Sequence, residues 1–241
     1  MQKPSNMKEI FSNDANIINE ICELYKSDYP VLIFEFSGVY GLIASNTIEG
    51  VNAINKAKIR LPNKFYSSIF GTDTIFKNAK DYKFIELKNQ LLEIFEGSFL
   101  RFELENTEII NPLISKGTHQ VLIKRPSYRE LFFNLEIELS KILAPSPYFS
   151  FNHYAPICSS ANISGDASGS ITSKQKAREF AKKSNIKLFV HSKLNALHQG
   201  SYPVFSINEN LQVKVERKGL NDELILKNAD DFLNNYRNNY N

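Results

Sequence analysis

Four cations lie within nine residues at positions 56–64, in the sequence Lys-Ala-Lys-Ile-Arg-Leu-Pro-Asn-Lys. Clustered lysine and arginine side chains on a loop can hold phosphate groups, arginine through a two-pronged contact and lysine as a point charge. The alternative is a solvated basic helix end, because cations also suit the negative end of the helix dipole. This segment alone leaves both interpretations open.

A second segment, at positions 158–165, has the sequence Cys-Ser-Ser-Ala-Asn-Ile-Ser-Gly and follows an apolar run. Its hydroxyl and amide side chains, together with backbone N–H groups, could converge on an anion. The alternative is an ordinary turn closed by local serine and asparagine hydrogen bonds. Taken alone, each of the two segments is explained without any ligand.

Other familiar catalytic patterns are missing from the sequence. It has no GxxxxGK[ST] loop, no GxGxxG turn, no HExxH helix and no GxSxG elbow. The two cysteines, Cys22 and Cys158, are far apart, which argues against a disulfide scaffold and a thiolate metal site. The histidines are scattered, which favours structural or surface roles for them: they are His119, His153, His191 and His198. No general base is therefore assigned.

Composition is typical of one globular α/β domain. The chain has 241 residues, of which 42% are hydrophobic, and a net charge of +3 from 29 basic and 26 acidic side chains. A charge so close to neutral does not by itself argue for a nucleic-acid partner. The first residues have no apolar signal region and no apolar run reaches the length of a membrane span, so we expect a cytoplasmic protein without a membrane partner.

Hydrophobic periodicity predicts strands and helices that interleave without a strict βαβ rhythm, which indicates a mixed sheet flanked by helices. Asn46 or Thr47 is expected to cap the second helix, and Thr172 or Ser173 the fifth. The predicted helices cover about 7–26, 47–57, 83–95, 127–142, 173–184 and 222–241. The predicted strands cover about 31–36, 65–70, 98–105, 119–124, 156–160, 186–191, 202–207 and 211–217.

In their order and spacing, the two polar segments resemble the signature of the YrdC-like family, which includes threonylcarbamoyl-AMP synthases. Lys58, Arg60 and Lys64 match the family's Lys-x-Arg-Pro-x-x-Lys loop, with the proline one place late at Pro62. Residues 159–165 match the family's Thr-Ser-Ala-Asn-x-Ser-Gly motif almost fully.

Two further matches flank these segments. Residues 39–42 (Val-Tyr-Gly-Leu) match the end of the family's Pro-Thr-(Asp/Glu)-Thr-x-Tyr-Gly-Leu motif, and residues 217–219 (Arg-Lys-Gly) match its terminal Arg-x-Gly. The resemblance therefore spans roughly residues 8–220. It implies a domain at 1–221 with a twisted mixed sheet and a concave nucleotide-binding cleft, followed by a helical tail at 222–241.

Departures from the family pattern are concentrated where the family binds its amino acid. The family's Pro-Thr-(Asp/Glu)-Thr is replaced by residues 35–38 (Glu-Phe-Ser-Gly), and its Pro-Gly-Pro-x-Thr by residues 96–100 (Glu-Gly-Ser-Phe-Leu). The arginine of its Arg-x-Pro strand becomes Lys124, which keeps the charge and loses the two-pronged contact. A phenylalanine at position 36 cannot hydrogen-bond a polar substrate, so threonine is a doubtful substrate.

The resemblance implies a reaction in which L-threonine, bicarbonate and ATP with Mg²⁺ give threonylcarbamoyl-AMP and pyrophosphate, for N6-threonylcarbamoyladenosine formation in tRNA. The residues it assigns to ATP are Lys58, Arg60, Lys64, Asn162, Ser168, Ser170 and Arg217. Those it assigns to the amino acid or carbamate are Ser37, Lys124 and Ser160. No residue is assigned to catalysis or to a metal.

Two alternatives stay open. A degenerate member could bind nucleotide or double-stranded RNA without synthesis, with or without tRNA-modification partner proteins, and a lysine-rich helix at about 174–183 would suit RNA. That helix has a simpler interpretation as a solvated surface. The other alternative is carbamoyl transfer to a different acceptor.

Overall fold

Ten strands form one mixed sheet in the chain, for which a computed structural model describes residues 7–36, 38–59, 65–105, 110–123, 126–165, 169–192 and 200–240. Their order across the sheet is 1-8-2-3-7-4-6-5-9-10, and neighbours include both parallel and antiparallel pairs. The strands are β1 (Lys8–Phe11), β2 (Val31–Phe36), β3 (Val39–Ala44), β4 (Ser67–Ile69), β5 (Ser98–Glu103), β6 (Thr118–Ile123), β7 (Ile157–Ser160), β8 (Leu188–His191), β9 (Val204–Ile207) and β10 (Val213–Arg217). The mixed α/β sheet predicted from the sequence is confirmed.

Helices cover both faces of the sheet. They are α1 (Ile17–Tyr25), α2 (Ile48–Lys58), α3 (Thr72–Lys77), α4 (Lys83–Glu86), α5 (Lys88–Ile94), α6 (Pro126–Ile142), α7 (Lys174–Lys183) and α8 (Asp222–Tyr240). The buried side chains of α1 and α6 belong to one apolar cluster, and those of α2, α4, α5, α7 and α8 belong to the cluster on the opposite face. None of the helices in the described ranges is both long enough and apolar enough to span a membrane.

Side-chain alternation along the strands separates the two faces. In β2, Leu32, Phe34 and Phe36 join the cluster of α1 and α6, whereas Val31 and Ile33 join the other cluster. All five are almost completely buried, as expected for a strand covered on both sides. The cleft described below opens on the α1/α6 face and is lined by residues of β2 to β7, β9 and β10.

Most predicted elements are present with shifted ends, but the helix predicted at 7–26 is wrong over its first half. Residues 8–11 instead form β1, which pairs in parallel with β8. The helix begins at Ile17, after a turn in which the Asp14 carboxylate accepts a hydrogen bond from the Asn16 N–H at 2.8 Å. Phe11 fits a helical spacing in the sequence, but it lies exposed on an edge strand because pairing with a distant strand overrides local periodicity.

Three further elements differ from the prediction. Strand β3, at residues 39–44, was not predicted, although all of its side chains are buried. Helix α3 was also not predicted; it starts directly after Gly71, which has a left-handed conformation with φ of 68°. The helix predicted at 83–95 is two short helices that meet at Leu87.

The start of α2 is fixed by a side-chain cap and by a close backbone approach. Of the two predicted caps, Thr47 is the one used: its hydroxyl accepts a hydrogen bond from the Gly50 N–H at 3.2 Å. Asn46 is buried instead and donates to the Ala155 carbonyl at 3.1 Å. Gly50 lies so close to Ser45 that a Cβ atom at position 50 would be 1.9 Å from the Ser45 carbonyl oxygen. This contact sets the direction of α2, whose last residue is Lys58.

The C-terminal helix α8 is packed against the sheet. Ile225, Ala229 and Leu233 are buried in the same cluster as α2 and α7. The division at residue 221 into a domain and a tail stays a prediction.

Two of the histidines form a buried polar bridge through a serine. The Ser68 hydroxyl lies 3.0 Å from His119 Nε2 and 3.1 Å from His153 Nε2. Nδ1 of His119 lies 2.8 Å from the Leu113 carbonyl, and Nδ1 of His153 has no hydrogen-bond partner among the described residues. Phe149 packs between the two rings, with centroid distances of 5.0 and 4.8 Å. The predicted structural role of these two histidines fits this burial.

The free energy of unfolding is expected to fall as pH drops below about 6.5. Burial lowers the pKa of His119 to about 4 and that of His153 to about 3, from a usual value of 6.5. As pH falls through this range the unfolded chain binds protons that the folded chain excludes, so acid favours unfolding. The two histidines together should make the free energy of unfolding about 2 kcal/mol or more lower near pH 5 than near pH 7, whereas Glu136, whose pKa burial raises to about 7, contributes in the opposite direction. Urea titrations of the wild-type protein and of the variant below, at both pH values, isolate the contribution of the histidines. A variant with both His119→Asn and His153→Asn should lose most of this difference, and an unchanged difference in that variant would contradict the assignment.

Candidate functional site

Lys58 joins the end of α2 to the turn at residues 160–164. Its side chain is almost fully buried, with 3% exposed. Its ammonium group donates to the Ser160 carbonyl, to the Asn162 carbonyl at 2.8 Å and to Asn162 Oδ1 at 2.9 Å. In the other direction, the Ser164 N–H donates to the Lys58 carbonyl at 2.9 Å. The two polar segments singled out in the sequence therefore meet, and Lys58 is not part of a solvated basic surface.

Contacts to Lys58 fix the orientation of the Asn162 amide. Oδ1 accepts from both the Lys58 ammonium and the Ser160 hydroxyl. The amide nitrogen Nδ2 is thereby turned away from these groups, and within the described residues it has no acceptor. Asn162 is half-buried and lines a cleft, so Nδ2 can donate to a ligand there.

Strand pairing positions this turn beside the motif at residues 39–42. Gly41 in β3 pairs with Ser160 in β7, and the Ala161 N–H donates to the Tyr40 carbonyl at 3.0 Å. Gly41 is required here, because a Cβ atom at this position would lie 2.6 Å from the Phe36 ring. The ring of Phe36 therefore lies across β3 and forms part of the cleft wall.

The terminal Arg-Lys-Gly motif forms the opposite rim. Gly219 approaches the backbone of residues 201–203, and a Cβ atom there would lie 2.4 Å from the Pro203 nitrogen. This approach holds Arg217, which donates to the Tyr202 carbonyl at 2.8 Å and lies 5.8 Å from the centre of the Phe99 ring. Nearby, the Ser170 and Ser201 hydroxyls are 2.9 Å apart.

These segments enclose a cleft of about 560 Å³. Its polar and charged lining consists of Lys58, Ser67, Arg101, Gln120, Ser159, Ser160, Asn162, Ser164, Ser170, Ser201, Glu216 and Arg217. Its apolar and aromatic lining consists of Phe36, Val39, Tyr40, Gly41, Phe65, Phe99, Leu122, Cys158, Gly165, Tyr202 and Val204. The volume is within the range of small-molecule sites.

Positive charge predominates among the described residues of the cleft. Lys58, Arg101 and Arg217 face a single carboxylate, Glu216, whose partners are the Ser206 hydroxyl at 2.9 Å and Lys214 at 3.2 Å. Burial lowers the pKa of Arg217, which means that its charge is partly desolvated. An excess of partly buried positive charge over negative charge favours an anionic ligand.

Five of the ten predicted site residues lie in the described ranges, and all five line this one cleft. They are Lys58, Ser160, Asn162, Ser170 and Arg217. The other five, which are Ser37, Arg60, Lys64, Lys124 and Ser168, lie outside the described residues. Their functional roles stay predictions.

The cleft floor also carries a row of hydrogen-bonded polar side chains that no sequence motif indicated. Gln120 in β6 donates to the Ser67 hydroxyl at 2.6 Å and accepts from Arg101 at 2.9 Å. These side chains come from three neighbouring strands in the order β4, β6, β5. The signal that could have found Arg101 is the alternation of side chains along a strand, which places Arg101 on the same face of β5 as Phe99.

Motif departures have different consequences at different positions. Phe36 and Phe99 both line the cleft with aromatic rings, Phe36 at a position where the family motif has a threonine and Phe99 at a variable position of its motif. Leu100, which the motif alignment places at the family's threonine, is buried on the opposite face of the sheet. Its replacement therefore does not alter the cleft wall directly.

The lysine-rich helix α7 lies on the other side of the sheet. Its buried residues Ala177 and Phe180 belong to the cluster opposite the cleft. Arg178 is held by a two-pronged contact with Glu9, whose other partner is the buried His191. The α7 cations and the cleft are therefore separate surfaces.

Solved structures with a similar fold are known. YciO from E. coli has a TM-score of 0.62 and 13% identity, with 94% of this chain and 100% of that chain covered. Sua5 from P. abyssi, in a complex with L-threonine, has a TM-score of 0.63 and 20% identity, with 88% of this chain but only 57% of Sua5 covered. Full-length HypF, in its phosphate- and nucleotide-bound form, has a TM-score of 0.60 and 14% identity, with 84% of this chain and 29% of HypF covered.

These likenesses establish the architecture alone, because sequence identities of 20% or lower do not carry over an activity. No protein-family model and no curated protein sequence matches the chain. The motif order, the mixed sheet and the structural neighbours agree on one conclusion: the chain has the YrdC-like fold.

Proposed function

We propose that this protein is an ATP-dependent synthase of the threonylcarbamoyl-AMP type, which forms a carbamoyl adenylate from an amino acid, bicarbonate and ATP. The observation that carries the proposal is the buried Lys58, which ties α2 to the turn at 160–164 and orients Asn162 toward a cationic cleft. The neighbours Sua5, solved with L-threonine, and HypF, solved with phosphate and nucleotide, support a site of this type on this fold.

In the proposed reaction, the amino group of the acceptor and bicarbonate give a carbamate and water. A carbamate oxygen then attacks the α-phosphorus of ATP, the bond between the α-phosphorus and the bridging oxygen breaks, and pyrophosphate leaves. Such a displacement depends on the positioning of charged groups more than on an acid–base pair.

Different parts of the cleft have different tasks in this mechanism. Asn162 Nδ2 lies where it can orient phosphate oxygens, and Arg217 adds positive charge from the opposite rim. The Ser160 hydroxyl donates to Asn162 Oδ1 and so helps to fix the orientation of that amide. The three shortest hydrogen bonds of the Lys58 ammonium group go to protein acceptors, so its role is to hold the turn at 160–164 in place. Arg60 and Lys64 are proposed to hold the triphosphate, as their motif implies.

The residues of the cleft fit a Mg²⁺ ion that is bound through the phosphates of ATP and not by protein carboxylates. Within the described ranges, no cluster of three potential His, Cys, Asp or Glu ligands is present. Hydroxyl, amide and cationic groups suit phosphate oxygens, and Mg²⁺ commonly binds through substrate phosphates while it keeps several waters. Bound Mg²⁺ would neutralise charge on the triphosphate.

A pyrophosphate-exchange assay tests the proposal. Radiolabelled pyrophosphate should enter ATP only when bicarbonate and a suitable amino acid are present. In Asn162→Asp, the contact to Lys58 is kept but a carboxylate oxygen replaces the amide donor, so ATP affinity and exchange should fall by about 30-fold or more without a lower melting temperature. Asn152→Asp, in an exposed loop, should change neither.

Exchange that proceeds equally without bicarbonate would contradict the proposal, as would its absence with every amino acid at saturating ATP. Binding of double-stranded RNA has weaker support, because the exposed α7 cations and the cleft lie on opposite faces of the sheet. RNA affinity that is lost steeply with salt and unaffected by ATP would instead favour that role.

A further inference from the structure

Arg101 lines the cleft and is half-buried. Within the described residues, its guanidinium group donates to Gln120 Oε1 at 2.9 Å. No carboxylate of these residues lies within 4.0 Å of it, although the charge of Glu216 acts on it from farther away. A guanidinium has five N–H donors, so donors remain available to a ligand in the cleft.

Hydrogen bonds to neighbouring side chains fix the position of the Arg101 side chain. Gln120 accepts from Arg101 and donates to Ser67, so the three side chains form a chain of hydrogen bonds across the cleft floor. A guanidinium held in this way is well suited to a carboxylate, which it can bind through two parallel hydrogen bonds.

An aromatic wall lies beside this row. The Tyr202 ring is 6.4 Å from the Phe36 ring and 6.5 Å from the Phe99 ring, measured between centroids. Phe99 and Arg101 lie two residues apart on the same face of β5, a separation of about 7 Å. Within this distance, one ligand can reach both the guanidinium and the rings.

A polar amino-acid side chain would be poorly served by these surroundings. Phe36, Phe99 and Tyr202 present ring faces and edges to the cleft, and burial of a hydroxyl against rings without a partner is unfavourable. An apolar side chain gains from the same contact, because burial of apolar area against aromatic rings is favourable.

We infer that the acceptor is an α-amino acid with an apolar side chain, whose carboxylate is bound by Arg101 and whose side chain packs against Phe36, Phe99 and Tyr202. This inference rests on the proposed function, since it names the acceptor of the same reaction. Arg101, held by Gln120, then selects acceptors that carry a carboxylate, and the aromatic rings select acceptors that have an apolar side chain.

Calorimetric titrations with the full chain test the inference, in the presence of bicarbonate and saturating α,β-methylene-ATP, an analogue that cannot release pyrophosphate. L-phenylalanine and L-leucine should bind at least about 10-fold more tightly than L-threonine, and L-phenylalaninol, which lacks the carboxylate, should bind at least about 30-fold more weakly than L-phenylalanine. These comparisons use the wild-type protein, so they do not depend on the folding of any variant.

Two substitutions separate the contributions of charge and shape. Arg101→Gln should weaken L-phenylalanine binding by about 30-fold or more while the Kd of ATP stays unchanged, and Arg101→Lys should be intermediate. Lys227→Gln, which removes an exposed cation from α8, the helix packed on the face of the sheet opposite the cleft, is the matched control and should have no effect. Phe36→Thr should shift the preference toward L-threonine.

Tightest binding of L-threonine by the wild-type protein would overturn the inference. So would an equal loss of ATP affinity in Arg101→Gln, because Arg101 would then belong to the nucleotide. If ATP itself does not bind, the proposed function fails. If ATP binds and no apolar amino acid does, only the inference about the acceptor fails.

Discussion

Replacement of Lys58 by alanine is expected to lower ATP affinity by about 100-fold and the free energy of unfolding by about 2–4 kcal/mol. The ammonium group satisfies the carbonyls of Ser160 and Asn162 together with the Asn162 side chain, and all of these lie deep in the site. Alanine removes the Lys58 donor from all three acceptors, and a buried acceptor left without any partner costs about 1–3 kcal/mol. Asn162 Oδ1 and the Ser160 carbonyl would each keep one other donor, the Ser160 hydroxyl and the Asn162 N–H. Release of the turn also releases the orientation of Asn162 Nδ2.

Lys56→Ala is the matched control for this substitution. Lys56 is on the same helix and carries the same charge, but it is exposed and lies 5.5 Å from the centre of the Tyr29 ring. Its removal should change stability by less than about 1 kcal/mol and leave ATP affinity nearly unchanged. Urea denaturation and calorimetric ATP titration measure both variants. Equal effects of Lys56→Ala and Lys58→Ala would mean that only the net charge of α2 matters.

Gly50→Ala is expected to lower the free energy of unfolding by about 3 kcal/mol or more, or to prevent folding. Helix propensity alone favours alanine over glycine by about 1 kcal/mol. The packing term opposes it and is larger, because a Cβ atom at position 50 would lie 1.9 Å from the Ser45 carbonyl oxygen. A backbone carbonyl cannot move aside cheaply, so α2 has to shift, and its C-terminal residue Lys58 shifts with it.

Asn52→Ala provides the comparison on the same helix. Asn52 is exposed, so the substitution should stabilise the protein slightly, by about 0.5 kcal/mol, through helix propensity alone. Thermal and urea denaturation should therefore give opposite signs for the two alanine variants. A Gly50→Ala protein at least as stable as the wild type would show that α2 does not pack against Ser45 in this way.

Local signals in the sequence predicted much of the fold. The apolar run 31–36 is β2 with the same ends, and the helical spacing at 127–142 is α6 to within one residue at its start. Thr47 caps α2, as its residue type suggested. In these cases, the residues that define the element are also the residues that stabilise it.

Elements that depend on distant partners were harder to predict. Strand β1 is stabilised by pairing with β8, about 180 positions along the chain, and its own sequence fits a helix equally well. Strand β3 is buried between β2 and β7, so it carries no polar alternation that would mark it as a strand. Neither partner could be identified from local periodicity.

The candidate site was predictable to the extent that motif order could stand in for spatial proximity. The resemblance placed Lys58 with Asn162, and these residues, 104 positions apart, are in direct contact. It did not indicate Arg101, Gln120 or Ser67, which match no motif and meet only because β4, β6 and β5 are neighbours in the sheet. Strand order is a property of the whole chain, so it could not be read from any one segment.

Burial of the lysine was the other feature that sequence could not provide. A cation in the last turn of a helix normally stays solvated, where it interacts with the helix dipole. Here the residue after it, Ile59, adopts a left-handed conformation with φ of 47° and ends the helix. Strain of this kind at a branched residue is tolerated where surrounding structure imposes it, and it is frequent at functional sites.

A crystal structure of the protein with a non-hydrolysable ATP analogue and Mg²⁺ tests the central claim most directly. We predict the triphosphate in the cleft between α2 and the Arg217 rim, with a phosphate oxygen about 3 Å from Asn162 Nδ2. Nucleotide bound elsewhere, or a cleft that stays without nucleotide at millimolar analogue, would contradict the account.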